Sequence, residues 1–339
     1  MTSERRTLPL SRRAAVAGGF AGLALAGSRA AAQERPANFP VRPIEMIVPY
    51  PAGGGVDITA RTLAQEAGRI LGHEFRVQNR VGGAGLVGHT YMTKAAPADG
   101  YSIGIIANPF FALDFLTREG DFSFADVVPL CSINFAPILW VTRTASPLGG
   151  LDFDGVVEEA RRRPGELKMG VTPNNAFQFA AEVVERAKGI KFTHVPFQGG
   201  RPGVTALLGG NIDVTSCFYE EVEQQVRAGE LKVLGVTDDR RFEPLPDVPT
   251  MVERGVPMPG GVWGANRCAI VRNTTPEPVR RYLEAGLLRT LNDPQTKSAF
   301  DRVGIVIRPA GSAETAQVFR STQETLTAFL TETGRPVRR

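Results

Sequence analysis

The chain has 339 residues, 42% of them hydrophobic and 22% charged, which is the make-up of a folded globular protein with room for two domains and excludes a disordered one. Its formal charge of +4 and pI near 9.1 arise at the start of the chain, where Arg5, Arg6, Arg12, Arg13 and Arg29 stand against Glu4 alone. The remaining charges balance, so the basicity gives no reason to expect a nucleic acid or a membrane surface as partner.

Residues 1–32 read as an export leader. Ser11-Arg12-Arg13 precedes a weakly apolar run, Ala14 to Gly27, and then Ala30-Ala31-Ala32 before Gln33. This is a twin-arginine-like signal with cleavage expected near Ala32 and a periplasmic mature protein. The general secretory route stays open, because Arg12-Arg13 lack the Phe-Leu-Lys that usually follows. The apolar run is shorter than the roughly 20 residues a membrane span needs.

Ile44 to Tyr50 is a strand-like run, and a stretch with helical spacing reaches about Gly72. Between them Gly53, Gly54 and Gly55 leave backbone N–H groups uncovered at a helix start, an arrangement that suits an anion. No Lys-Ser/Thr follows, so a nucleoside triphosphate is a poor fit. Asp57 in the first helical turn has a structural reading, since a carboxylate there stabilises the dipole by about 0.3–1 kcal/mol. Facing a ligand, it would need an amine, a protonated group or a water between.

The next strand-like run, residues 74–79, leads to Gly83-Ala84-Gly85-Leu86-Val87-Gly88, a match to the dinucleotide fingerprint G-x-G-x-x-G. It supports an alternative function, an exported NAD(P)-dependent oxidoreductase. Against it, the fingerprint falls in the second strand unit and no acidic residue ends a strand about 20 residues on. Residues 101–108 are a third strand, with Asn108 at its carboxyl end, where parallel strands line a ligand crevice. Phe110 and Phe111 could make that wall aromatic.

Two long apolar stretches follow at 127–143 and 260–272, with short strand-like runs at 167–172, 192–197, 212–218 and 231–236 between them. Helix-length segments separate these runs, a βαβα rhythm that argues for parallel sheets covered by helices. The two long stretches are candidates for strands crossing between domains. That divides the chain into domain 1, residues 33–142 and 261–339, and domain 2, residues 143–260. Amphipathic helices at 275–291 and 315–330 close the chain.

His73, His89 and His194 show no ligand spacing, and no nucleophile motif occurs, so neither metal, cofactor nor catalytic chemistry is expected. Cys131, Cys217 and Cys268 are read as buried thiols, with one disulfide left open.

The order of these motifs resembles the Bug family, the extracytoplasmic solute-binding proteins of tripartite tricarboxylate transporters. The segments that carry the resemblance are FPVRPIEMIVPYPAGGGVDITAR, NRVGGAGLVGHTYMTKAAPADGYSIGI, HVPFQGGRPGVTALLGGNIDV and LKVLGVTDDRRFEPLPDVPTMVERGV, with Thr275-Pro276 before the tail. The resemblance implies a non-enzymatic protein with the periplasmic binding protein type II-like fold: two α/β domains joined by crossing strands, closing on a small organic carboxylate. It also implies membrane transporter subunits or a signalling receptor as partners, and a monomer.

By the same resemblance the loop from Pro51 to Asp57 and a facing loop, Gly170 to Glu182, hold one carboxylate. The facing loop departs from the family's glycine- and serine-rich run: it has Thr172, Pro173, Asn174, Asn175 and Ala176, with Phe179 where a His is usual. Thr172, Asn174 and Asn175 are its candidate ligand residues, the two amides restoring donors and acceptors. Gln198 in Phe197-Gln198-Gly199-Gly200 is another. Arg267, where relatives read Trp-Arg-Gly, is a candidate for a charge-assisted contact to a distal carboxylate; a structural ion pair is its alternative role.

Overall fold

A computed structural model of the chain describes residues 35–117, 121–258 and 263–338. The expected leader, residues 1–32, lies outside the described residues.

In chain order the first elements are β1 (Ile44–Val48), α1 (Gly55–Leu71), β2 (Phe75–Asn79), α2 (Leu86–Thr90), β3 (Ser102–Ala107), α3 (Asn108–Thr117) and β4 (Val127–Pro137). Next come β5 (Leu139–Arg143), α4 (Phe153–Arg162), β6 (Lys168–Val171), α5 (Ala176–Lys188), β7 (Thr193–Pro196), α6 (Gly200–Leu208), β8 (Val214–Cys217), α7 (Glu223–Arg227) and β9 (Leu231–Val236). The chain ends with β10 (Gly264–Arg272), α8 (Glu277–Leu291), α9 (Pro294–Asp301), β11 (Ala310–Gly311) and α10 (Ser312–Glu332).

Local chemistry sets the element ends. Helix α1 stops at Gly72, whose left-handed backbone lets its N–H close on the Gly68 carbonyl, and α5 starts at Asn175, whose Oδ1 accepts from the Phe177 N–H at 2.9 Å. Strand β3 is buried along its whole length, as a central strand covered on both faces must be.

Two sheets result. The first has the order β11-β4-β10-β3-β1-β2, and the second β7-β6-β8-β5-β9. The expectation of parallel sheets holds only in part. β2, β1 and β3 run parallel, as do β7, β6 and β8, but β10 is antiparallel to both β3 and β4, and β5 is antiparallel to both β8 and β9. The two long apolar stretches are the reason. β4 and β10 pair with each other from Val127↔Arg272 to Pro137↔Gly264. Buried on both faces, an antiparallel pair shows the same unbroken apolar run as a parallel one.

The chain leaves the first sheet at Pro137 and enters the second at Leu139, so the second lobe begins before residue 143; it returns between β9 and β10. One continuous apolar cluster includes residues of both sheets, such as Ile103 and Met169, and of the helices beside them, such as Phe111 and Phe153. Cys131, Cys217 and Cys268 are buried free thiols, and burial pushes the Cys131 thiol up to about 12. Among the described residues no helix is long and apolar enough to cross a membrane.

Candidate ligand cleft

A cavity of about 260 Å³ lined by polar and aromatic residues lies between the two sheets. The first-sheet wall is Pro49 to Ala52 and Gly54 to Val56 of the segment after β1, with Val81, Ala84, Gly85 and Phe110. The second-sheet wall carries Thr172, Asn175, Phe177, the turn from Gln198 to Pro202, Phe218 and Glu221. Each part sits where a strand ends and a helix begins, the place an open α/β sheet offers a ligand.

Three helices aim their starts at this space: α1 from its cap Gly54, α5 from its cap Asn175 and α6 from its cap Gly199. The first N–H groups of a helix have no partner within it, so each start presents donors and a partial positive charge. The Thr172 hydroxyl is 2% exposed and makes no hydrogen bond, so the wall holds a donor waiting for a partner. Phe110, Phe177 and Phe218 form an aromatic triangle with ring centroids 5.6, 6.2 and 5.1 Å apart. A ligand here meets backbone donors at one end and apolar rings along its body.

Of the sequence candidates, Gly54, Gly55, Thr172, Asn175 and Gln198 line the cavity. The other five do not. Gly53 takes φ 77°, which glycine adopts without strain, and its carbonyl accepts from Arg201 Nε at 2.8 Å across the two walls. Asn174 is exposed with φ 53°, and its N–H donates to Gln178 Oε1 at 2.8 Å; it shapes the turn. Asn108 starts α3 instead of ending a strand into the crevice, and its Nδ2 donates to Thr322 Oγ1 at 2.9 Å, away from the cavity.

Asp57 and Arg267 stand behind the cavity wall, with the partners that their structural alternatives require. Asp57 is 2% exposed and faces inward behind the loop. Its Oδ2 accepts from the Gly53 N–H at 2.8 Å and Arg61 Nε at 2.9 Å, and its Oδ1 from Asn79 Nδ2 at 2.8 Å. Burial alone would raise its pKa, but hydrogen bonds from Arg61, Gly53 and Asn79 outweigh that and hold the carboxyl below its ordinary value. Asp57 therefore braces the glycine loop. Arg267 is fully buried on β10, bonded to Glu220 beyond the end of β8 and to Thr59 Oγ1 at 3.1 Å. It ties the two lobes behind the wall, and a Cβ at Gly55 would overlap both members of that ion pair. Gly55 is thus needed by the pair as well as by the cavity.

The dinucleotide fingerprint also has a packing account. Gly82, Gly83, Ala84 and Gly85 all have positive φ, and a Cβ on Gly88 would come within 2.6 Å of Pro49 Cα. The run lets α2 press against the loop after β1, while Ala84 and Gly85 form the cavity wall. His89 is buried against Asp114 Oδ2 at 2.7 Å, and Phe179 packs between Arg335 and Phe329, so neither meets the cavity. Among the described residues no group of three His, Cys, Asp or Glu side chains is placed to hold a metal.

Sequence reasoning missed Glu221, Arg201, Phe177 and Phe218. The available signal for Glu221 was position: Glu220-Glu221 follow the carboxyl end of the strand-like run at 212–218, where crevice residues belong. Glu221 is 6% exposed, and its Oε2 accepts from the Phe218 N–H at 2.9 Å. Burial pushes its carboxyl up to about 7; Glu220 adds to the shift, while the Phe218 N–H, Arg267 and Arg201 oppose it.

The profile of the tripartite tricarboxylate transporter family receptor matches residues 59–334. BugT of Bordetella pertussis (strain Tohama I) is 31% identical over 240 residues, spanning 70% of this chain and 73% of that protein. The periplasmic binding protein BugD superposes with a TM-score of 0.79 at 24% identity, covering 88% of this chain and 99% of BugD. MatC from Rhodopseudomonas palustris, with bound malate, gives a TM-score of 0.76 at 23% identity, covering 86% of this chain and all of MatC (100%).

Proposed function

This chain belongs to the tripartite tricarboxylate transporter receptor family, and from that membership we propose that it captures a small organic carboxylate in the cleft between its two α/β lobes. The family consists of solute-binding receptors, and the oxidoreductase alternative has no support. The observation that carries the reading is the cavity itself: the starts of α1 and α5 and an unpartnered Thr172 hydroxyl meet on one enclosed space. Such donors suit a carboxylate, which needs acceptor sites served and repays them with charge-assisted bonds.

In this account Gly55 offers its backbone N–H from the first lobe, Gly54, whose N–H donates to the Pro51 carbonyl at 3.3 Å, shapes that wall, and Thr172 and Asn175 serve the ligand from the second. Gln198 stands at the mouth. Gly53, Asp57 and Arg267 act one layer behind, holding the loop and the lobes in register. Capture works by closure: a ligand touching both walls favours the closed arrangement in proportion to its extra affinity for it. Arg201 to Gly53 and Arg267 to Glu220 are protein contacts that span the same gap and favour the same state.

The protein acts in the periplasm as a monomer after loss of its leader near Ala32. It delivers its ligand to the membrane subunits of a tripartite transporter or to a signalling receptor. Calorimetric titration of the folded protein with a panel of mono-, di- and tricarboxylates tests the assignment. Saturable one-to-one binding of at least one member is expected, and heat from none would overturn it.

A further inference from the structure

Two charged side chains line the cavity among the described residues, Arg201 and Glu221. Arg201 is exposed at the mouth and already donates to Gly53. Glu221 is buried, and only one of its oxygens is served. Oε2 accepts from the Phe218 N–H, whereas Oε1 makes no hydrogen bond and looks across the cleft toward Gly54, 3.9 Å from where a Cβ on that residue would stand. That oxygen opens on the cavity, so whatever occupies the space meets an acceptor there.

The carboxyl also lies directly against the start of α6, where a Cβ on Gly200 would overlap it. A third helix start on the cavity therefore faces an anion that belongs to the protein. The starts of α1 and α5 remain for the ligand. A second ligand carboxylate pointing toward α6 would meet a negative charge in a space that Phe110, Phe177 and Phe218 keep apolar. Unpaired like charges in such a place are an effective way to reject a competitor.

We infer that Glu221 determines which ligands the cleft accepts: facing the Gly54 loop, it accepts a hydrogen bond from a donor on the ligand, foremost an ammonium group, and rejects a second carboxylate. The inference rests on the carboxylate reading of the cleft and narrows it to a monocarboxylate bearing a donor group. An ammonium gains most because it pairs with the carboxylate and lies near aromatic rings that attract cations. The groups that set the charge of Glu221 are Glu220 beside it, Arg267 on β10, Arg201 on α6 and the neutral Cys217 thiol on β8; α1 contributes only backbone. Once protonated, Glu221 can donate to a carboxylate, so rejection weakens as pH falls through about 7.

The test is calorimetric titration of the full chain with two series matched in length. One is 4-(aminomethyl)benzoate, 4-methylbenzoate and terephthalate; the other is 6-aminohexanoate, hexanoate and adipate. At pH 8.5 the amino member should bind at least about tenfold more tightly than the dicarboxylate of its series, and Glu221→Gln should shrink that ratio to within about threefold. The ratio in the unmodified protein should also fall between pH 8.5 and 6.0, a measurement that stands if the variant does not fold. A dicarboxylate bound as tightly as its amino partner at pH 8.5, or a ratio indifferent to both the substitution and pH, would overturn the inference. So would binding of none of the six when the wider carboxylate panel has a binder; a wider panel without any binder overturns the carboxylate reading itself.

Discussion

Two buried carboxyls flank the cleft, and they differ in how completely they are hydrogen-bonded. Asp57, behind the first wall, accepts from a backbone N–H, a guanidinium and an amide, and its pKa is held below the ordinary value. Glu221, on the second wall, accepts from one backbone N–H, leaves an oxygen facing the cavity, and is pushed up to about 7. Two acids with little solvent exposure thus differ in depth and partners, and in role. A fully partnered carboxylate fixes a loop, and a half-partnered one is left to interact with whatever enters.

That contrast can be broken most sharply by removing each carboxyl. Asp57→Ala leaves the Gly53 N–H without its acceptor and removes one acceptor each from Asn79 Nδ2 and Arg61 Nε, and should cost about 3 kcal/mol in urea unfolding at pH 7, whereas Glu221→Gln should change stability by less than about 1 kcal/mol. Equal losses would mean that Glu221 is structural too. Gly54→Leu fills the gap that separates the first wall from Glu221. Binding of any carboxylate identified by titration should weaken at least about 100-fold while the unfolding midpoint stays close to that of the parent.

The pH dependence separates the two acids next. Asp57 has a lowered folded pKa, so the stability it contributes is present above the model-peptide value of 3.8 and is lost as pH falls through the lower folded value. Glu221 has a raised one, so its contribution is present below 4.5 and is lost as pH rises toward about 7. Unfolding free energy followed from pH 3 to 8 in the parent, Asp57→Asn and Glu221→Gln should show the two differences in separate windows; a single shared window would refute the distinction. The smallest effect is expected from Thr172→Val, which removes one uncharged donor from the second wall and should weaken ligand binding about fivefold without loss of stability.

How much of this the sequence discloses follows the same division between backbone and side chain. Gly54 and Gly55 were legible because a glycine loop between a strand and a helix marks a turn that faces the crevice, whereas Thr172, Asn175 and Gln198 were named only by the family resemblance; all five line the cavity. Asp57 and Arg267 were legible as polar residues in the right places but not in their direction. Asp57 has Asn79 and Gly53 on its side of the loop, and Arg267 has Glu220, a partner 47 residues away that no local spacing indicates. Glu221 escaped for the converse reason: a Glu-Glu pair ahead of a short helix reads as a solvated helix start, and only the fold closes Phe110, Phe177 and Phe218 around it. The antiparallel β4–β10 pair was hidden because an apolar strand buried on both faces carries no mark of its neighbour's direction.

The central claim is that one small carboxylate occupies the cavity lined by Gly54, Gly55, Thr172 and Asn175. Native mass spectrometry of the protein isolated from its own cell envelope, beside Gly54→Leu prepared identically, tests it most directly. The account predicts a single organic carboxylate retained one-to-one by the parent and absent from the variant; a retained dinucleotide, or a carboxylate kept equally by both proteins, would contradict it.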